Sequence, residues 1–461
     1  MNLVVVGGGI SGLVAAGRLR KAMPQADICL LERSSELGGL LSGHLYPEHN
    51  LAFDKGTHIF QELGLPELDS FLMDAVDATD LLIYPQDVGD VSGIVFQGKL
   101  QSNTHFPDLR SHPSSANLVD ALRQHTRLVD PSRPIDRNAS LFVEATSRFG
   151  DEYAREVLLP LLAHTYGRPK EELAAFSMVL PGMTRAVIDD YDDWLINTQV
   201  AGYREIIGNP DQHRLPSKLR HGRRSYYSRQ HGSRGIIDAV SRRLKSQGVA
   251  LHTGANITAL NLQKSTIDWT DCQGMPHQIS YSGMVLSTGA IGSANLLKLS
   301  LAGRGFEAPM SHHLLHYQLS CPNESPLCYF YSLDPKYAWY RITNYRAFSG
   351  DPHDRRLTVE VLGRPLPDAA DAQAILADLH RLGFLCSPDG EVIEALTLPS
   401  GFPIPTTRNL QALSKLGDDL RSLLPSNILL GGIGAKSGLF FQNEVVLDMY
   451  QAVGRFTEQL S

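Results

Sequence analysis

The chain has 461 residues, 43% of them hydrophobic and 20% charged, with a formal net charge of −7. That length fits two or three domains with substantial cores, and the lack of a global basic field argues against nucleic acid as a partner. Its five cysteines (Cys29, Cys272, Cys321, Cys328 and Cys386) form no C-x-x-C pair, which suits a reducing compartment better than a disulfide framework, and no metal-ligand spacing is found.

The first apolar run, Leu3 to Ala16, has no basic residue ahead of it and is interrupted by Gly7, Gly8, Gly9 and Gly12, so it is not read as a signal peptide. No later run approaches the roughly 20 apolar residues of a membrane span, and a cytoplasmic location is the expectation. Leu3-Val4-Val5-Val6 is a β-branched stretch without alternation, as in a strand buried on both faces of a parallel sheet. It leads into Gly7-Gly8-Gly9-Ile10-Ser11-Gly12, which satisfies G-x-G-x-x-G, and then into a predicted helix over 10–22. In such a turn Gly7 permits the tight bend, Gly9 lets the backbone approach a pyrophosphate, and Gly12 lets helix and strand pack closely. The amides of Ile10 and Ser11 then face the phosphates at the positive end of the helix. A second strand, Ile28-Cys29-Leu30-Leu31, ends at Glu32, twenty residues after Gly12, where a carboxylate accepts hydrogen bonds from an adenosine ribose.

Glu32-Arg33-Ser34-Ser35-Glu36-Leu37-Gly38-Gly39, continuing into Leu40, resembles the extended fingerprint of glutathione-reductase-type FAD proteins, in particular the amine oxidase branch. The resemblance implies FAD as the cofactor, with Arg33, Gly38, Gly39 and Leu40 beside it. It also implies a discontinuous FAD domain whose other pieces lie downstream. Phe53-Asp54-Lys55-Gly56-Thr57-His58-Ile59-Phe60 resembles the G-x-H-I-F segment of UDP-galactopyranose mutase, which would bring His58 to the flavin. The stretch from Ser140 to Phe176, with Phe149-Gly150-Asp151-Glu152, Leu159-Pro160-Leu161-Leu162 and Tyr166-Gly167, resembles a helical region of protoporphyrinogen oxidase. Helical periodicity is found over 115–128 and 141–162.

His213 to Arg234 is the most basic stretch: it holds Arg214, Lys218, Arg220, Arg223, Arg224, Arg229 and Arg234, with His213, His221 and His231 and no acid. It reads either as a clamp for an anionic substrate, with Arg223 and Arg224 as the contacts, or as a solvated basic loop. Tyr226 to Val240 again resembles protoporphyrinogen oxidase, as a glycine turn launching an amphipathic helix. Gly248 to Thr253, followed by Ile257, resembles the strand passing the adenine. Met284 to Gly289 resembles the strand-S-T-G element that returns the chain to the FAD, through Thr288 and Gly289. Lys298 reads as an exposed helix residue rather than a flavin-side lysine. The segment 287–293 also resembles glucose-methanol-choline oxidoreductases, but no histidine follows His380 to serve as their catalytic base.

Tyr337 to Tyr345 alternates as a strand, with Trp339, Arg341 and Thr343 on one face and Tyr340, Ile342 and Asn344 on the other. It is similar to the substrate-domain strand of the mutase family, which implies Arg341 as a catalytic or substrate contact and Tyr340 as a substrate contact; an ordinary ion pair is the alternative for Arg341. A helix is predicted over 369–382 after Pro365-Leu366-Pro367. Near the C-terminus, 427–434 reads as a strand feeding Gly432 and Gly434, then a helix over 444–458, and the resemblance implies that these glycines and Asn443 meet the flavin. The mutase family has a tyrosine in this segment, and Phe440-Phe441 here removes its hydroxyl.

The fold expectation is α/β: a Rossmann-like FAD-binding domain from 1–60, 226–300 and 425–461, a β-sheet substrate domain from 61–111 and 301–424, and a helical insertion over 112–225. The expected activity is an FAD-dependent two-electron oxidation of a C–N or C–C bond in a small molecule, with hydride passing to flavin N5. Two alternatives stand beside it: a redox-neutral nucleotide-sugar mutase using reduced FAD, and a non-catalytic flavin-binding factor. The expected partner is a small-molecule substrate, anionic if the basic segment is a clamp; oligomeric state is left open by the sequence.

Overall fold

A computed structural model describes residues 1–84, 91–130, 133–220 and 222–460. The chain divides into two compact units: Met1–Ile83, Arg223–Phe306 and Gln411–Ser461 form the first, and Tyr84–Gly222 with Glu307–Leu410 form the second.

The first unit is built on five parallel strands: β1 (Asn2–Val6), β2 (Asp27–Leu31), β3 (Ala250–His252), β4 (Gly283–Leu286) and β5 (Ile428–Leu430), in the spatial order β3-β2-β1-β4-β5. Its helices include α1 (Ile10–Ala22), α2 (Pro66–Met73), α3 (Gly232–Ser246), α4 (Gly289–Leu296) and α5 (Gln442–Leu460), and the helix Thr407–Leu423 lies in it from Gln411 onward. The uniform apolarity of β1 follows from its central place, because both faces of the sheet are covered. Leu3 and Val5 pack with Leu13 of α1, Ile236 of α3 and Val453 of α5, while Val4 and Val6 pack with Trp269, Ala290 and Leu416. This is the mixed α/β, Rossmann-like class expected from sequence.

Between β3 and β4 the chain makes a three-stranded antiparallel meander, Asn256–Asn261, Thr266–Thr270 and Pro276–Ser280, that the sequence reading did not separate. Ile257 belongs to its first strand, opposite Trp269.

The second unit carries a seven-stranded sheet in the order Gly390–Thr397, His312–Leu319, Arg356–Leu362, Arg341–Asn344, Tyr329–Ser332, Ser92–Phe96, Lys99–Gln101. One apolar cluster joins Leu315, Phe330, Ile342 and Val359 to the helix Ala369–Arg381; another joins Ile94 and Tyr340 to the helical residues Leu141, Phe149, Leu162 and Met178. The helix predicted over 115–128 spans Ser115–His125, and that over 369–382 spans Ala369–Arg381, opened by a capping box between Asp368 and Asp371.

Two expectations change. The continuous helix over 141–162 is interrupted: Leu141–Phe149 stops at Gly150, whose φ is +84°, and a π-helical turn over Ala154–Leu158 precedes Leu159–Tyr166. Gly150, at φ +84° and ψ +166°, takes an extended conformation of positive φ that glycine alone adopts readily, and so ends the helix. Pro160 has no N–H to return to the preceding turn, which accommodates the widened coil. The strand expected over 337–345 begins only at Arg341. Asp334 takes the residues before it into a turn, its carboxylate accepting from the Lys336 amide (3.0 Å) and its carbonyl from the Tyr337 amide (3.1 Å).

No helix among the described residues is long and apolar enough to cross a membrane.

Candidate functional site

The loop between β1 and α1 is pinned from several sides. Gly7 has φ +103° and its amide donates to the Leu31 carbonyl at 2.9 Å. A β-carbon at Gly12 would stand 1.9 Å from the Gly7 carbonyl oxygen, so only glycine lets α1 start this close to the strand. Gly9 is different. A β-carbon there would meet no atom within 4 Å, so the protein's own packing does not ask for glycine. Open space beside a bare backbone is what a close-lying pyrophosphate requires. Gly9 is also the N-cap of α1, with no side-chain cap and no acid in the first turn through Ile10, Ser11 and Gly12. First-turn amides have no intrahelical acceptor, and they sit at the positive end of the helix dipole.

Glu32 closes the same corner. Its carboxylate accepts from the Gly8 amide at 2.6 Å and the Ser34 amide at 2.7 Å. A carboxylate offers about four lone-pair sites, so acceptor capacity remains for a ribose diol. The Glu32 amide donates to the His252 carbonyl of β3 (2.8 Å), and the Ala255 amide returns a bond to the Glu32 carbonyl (2.8 Å). The second glycine pair lies against the first loop: the Gly38 amide donates to the Gly8 carbonyl at 2.7 Å. A β-carbon at Gly39 would find only the Gly9 α-carbon, at 3.7 Å. Leu40 and Arg33 are exposed beside it.

The S-T-G element after β4 holds this loop through a residue the sequence reading did not assign to the site. The Ser287 hydroxyl lies 3.0 Å from the Val6 carbonyl and 2.9 Å from that of Gly7. Thr288 caps α4 and its hydroxyl pairs with Ser293 at 3.1 Å. The terminal glycines pack directly on this element. The Gly289 amide donates to the Gly431 carbonyl (3.2 Å) and that of Ala290 to Ile433 (2.9 Å). A β-carbon at Gly432 would be 2.9 Å from the Gly289 nitrogen, and one at Gly434 would be 2.5 Å from Leu413. These glycines are explained by the chain's own crowding, unlike Gly9. Asn443 is half-buried, with its amide group 3.4 Å from the Gln61 side chain, and Glu444 accepts from the Phe440 and Phe441 amides.

The 53–60 segment is anchored by Asp54, which is 2% exposed. Its carboxylate accepts from the Ser233 amide (2.9 Å), the Ser233 hydroxyl (2.6 Å) and the Tyr227 hydroxyl (2.6 Å). Asp54 is visible in sequence between Phe53 and Gly56, but its partners lie far away along the chain. Burial lowers the Lys55 ammonium, with Glu36 opposing and Arg234 adding to the effect; its Nζ donates to Ser42 at 2.7 Å. His58 is half-buried, with Nε2 3.3 Å from the Lys55 carbonyl.

The basic segment is shared between the two units. In the second unit Arg214 lies 3.8 Å over the Tyr191 ring and 3.5 Å from Asp192, and Arg220 donates to the Leu215 carbonyl at 2.9 Å. In the first unit Arg224 grips Glu62 through Nε (2.9 Å) and Nη2, and its amide adds a bond at 2.9 Å. That contact holds the Glu62 carboxyl below its usual range. Arg234 bonds Glu36 at 2.9 Å and the Ser42 carbonyl at 3.2 Å. Arg223 and Lys218 are exposed. His221 lies outside the described residues. Lys298 is exposed as expected but sits after α4 rather than within it, with φ +56°.

In the second unit, Arg341 pairs across the sheet with Glu360, the residue directly opposite it. Its Nε lies 2.6 Å from Glu360 Oε1 and its Nη2 2.9 Å from Oε2, while Nη1 donates to the Tyr331 hydroxyl at 3.1 Å. His312 Nε2 is 3.0 Å from Glu360 Oε2. Burial disfavours the Glu360 carboxylate, yet Arg341 and His312 outweigh it and hold the carboxyl well below its ordinary range. Glu360 was missed from sequence. Its trace was an acid inside Leu357-Thr358-Val359-Glu360-Val361, on the face opposite the three aliphatic residues. Tyr340, 5% exposed, packs 5.3 Å from Tyr331 and 6.0 Å from Phe402, and burial pushes its hydroxyl up.

A family model described as an NAD(P)-binding Rossmann-like domain matches residues 5–74. No curated protein matches the sequence. Among solved structures, reduced UDP-galactopyranose mutase is similar over 99% of this chain and 96% of its own, with TM-score 0.68 and 15% identity. A protein described as a protoporphyrinogen oxidase, from Exiguobacterium sp. 255-15, is similar over 99% of both chains, with TM-score 0.62 and 17% identity. A putrescine oxidase variant is similar over 100% of this chain and 98% of its own, with TM-score 0.57 and 14% identity. The chain therefore has the fold of the amine oxidase-like group that its motifs resemble.

Proposed function

We propose that this chain is an FAD-dependent enzyme that oxidises a C–N or C–C bond of a small molecule by two electrons. The carrying observation is Gly9, a glycine that the protein's own packing leaves unexplained, at an uncapped helix start beside the Glu32 carboxylate. That donor and acceptor set fits the adenosine diphosphate part of a dinucleotide. Bound FAD would supply the two-electron acceptor.

The chain's residues bind and orient. Gly7, Gly9, Ile10, Ser11 and Gly12 are assigned to the pyrophosphate, Glu32 and Arg33 to the adenosine, and Gly38, Gly39 and Leu40 to the segment beside it. Ile257, Thr288, Gly289, Gly432, Gly434 and Asn443 complete the proposed cofactor set, and His58 is proposed at the flavin. Tyr340 and Arg341 are proposed to contact substrate. Guanidinium has five N–H donors; three of those on Arg341 are engaged by Glu360 and Tyr331, leaving two for a substrate acceptor.

Oxidation is preferred over mutase chemistry because two of the three arginines assigned to an anionic substrate are already paired with carboxylates. Glu62 takes Arg224 and Glu360 takes Arg341, so neither brings an uncompensated charge to an anion. Anaerobic flavin spectroscopy decides between the readings. An amine or porphyrinogen that bleaches the oxidised flavin without added reductant supports oxidation. Turnover of a UDP-sugar only after dithionite reduction would establish the mutase reading instead, and flavin binding without any turnover the non-catalytic one.

A further inference from the structure

We propose that the first unit carries a second ligand site, a pocket for a small molecule bearing two or more negative charges of phosphate or carboxylate type. It is an open cleft of about 530 Å³ at the C-terminal ends of α1 and α3, flanked by α2 and by Tyr450 of α5. Small-molecule pockets fall in this size range.

Four cations line it, Arg18, Arg20, Lys21 and Arg243, against one carboxylate, Glu67. Two of the cations are fixed by groups that carry no charge. Arg20 donates to the carbonyls of Pro24 (2.8 Å), Ala26 (2.9 Å) and Gly248 (3.0 Å). Arg243 donates to those of Ser70 (3.0 Å) and Phe71 (3.3 Å). Carbonyls hold a guanidinium in place without cancelling its charge. Glu67 pairs with Lys21 at 2.6 Å and Arg18 at 3.8 Å, and also accepts the Tyr450 hydroxyl at 2.6 Å. The lining therefore carries a formal +3 in a chain whose net charge is −7.

Basic residues in a last helical turn complement the helix dipole, which is the simplest reading of Arg20, Lys21 and Arg243. Each helix end supplies only about half a negative charge, so two ends leave roughly +2 unanswered. The Nε atoms of Arg18 and Arg20 are also buried with no hydrogen-bond partner among the described residues. Arg18 lies 4.8 Å over the Tyr450 ring and Arg243 5.6 Å over that of Phe71. The cations are thus held in position ahead of any ligand, which lowers the entropy lost on binding.

Isothermal titration of the FAD-saturated protein with pyrophosphate, and separately with citrate, tests the site and distinguishes the two kinds of anion. The expected result is saturable one-to-one binding of at least one of them, weakened at least tenfold by Lys21→Glu. The same weakening is expected from Arg18→Gln, while Lys415→Gln leaves binding unchanged. Gly9→Val, which obstructs the loop assigned to the nucleotide, should leave this binding intact, so the two sites report separately. No saturable binding of either anion, or binding that Lys21→Glu leaves unaltered, overturns the proposal.

Discussion

The Gly12 backbone faces the Gly7 carbonyl so closely that a β-carbon on Gly12 would lie 1.9 Å from its oxygen. The next atom is the Ser287 hydroxyl oxygen at 2.7 Å, but the closest is backbone, so relief requires moving α1 away from β1, against which Leu13 and Val14 are packed. Gly12→Ala is expected to destabilise the protein by about 2 kcal/mol or more, in the range of overpacked sites. Urea unfolding of the cofactor-free protein measures it; an unchanged midpoint would show that the helix can shift at no cost.

Glu32 ties two backbone amides across 24 residues and two residues of sequence. Glu32→Ala leaves the Gly8 and Ser34 amides without their charged acceptor, a loss worth about 1.5–3 kcal/mol for hydrogen bonds to a charged group. Flavin affinity should fall at least tenfold. Glu32→Gln keeps one carbonyl acceptor and should recover part of that affinity, as read by fluorescence titration.

Much of this site is legible in sequence because its geometry is local. The spacing from Gly7 to Glu32 is covered by one helix and one strand, whose lengths fix where the acid lands. Partners brought by distant strands are not written locally. Arg341 stands out in its strand, but Glu360 becomes its counter-ion only once two strands pair in register. Asp54 meets Ser233 across 179 residues. Glycine itself is ambiguous: Gly432 and Gly9 read alike in sequence, and only the surrounding atoms separate a crowded glycine from an open one.

The buried Glu360 gives a pH prediction with a definite sign. Its carboxyl is held below the ordinary range in the folded chain, so its contribution is present above about pH 4.3, the usual value for glutamate, and is lost as the pH falls further toward its folded value. Glu360→Gln should cost about 3 kcal/mol at neutral pH, because Arg341 and His312 lose a buried partner. The difference from wild type should shrink on acidification below about pH 4, which chemical denaturation at several pH values would record. A difference that grows on acidification contradicts the assignment.

His105 titrates in a more accessible range. Burial, with Arg185 adding to it, brings its imidazole down to about 4, and its ring lies 3.9 Å from Phe106. The unfolded chain binds this proton near pH 6.5, so stability from this residue is complete above that value and declines as the pH falls toward 4. His105→Asn should flatten the pH dependence of stability between about pH 6.5 and 4. An NMR titration placing the folded imidazole near its ordinary value would contradict it.

The central claim, that the first unit binds FAD against Gly9, is tested most directly by titrating the cofactor-free protein with FAD and comparing wild type with Gly9→Val. A β-carbon at Gly9 meets no protein atom within 4 Å, so the cofactor-free variant should still fold, losing only the preference of the α1 N-cap for glycine over valine. Wild type should bind one FAD per chain, and the variant should bind it at least a hundredfold more weakly, about 2.7 kcal/mol. No FAD binding by the wild type, or equal binding by both proteins, would contradict the account.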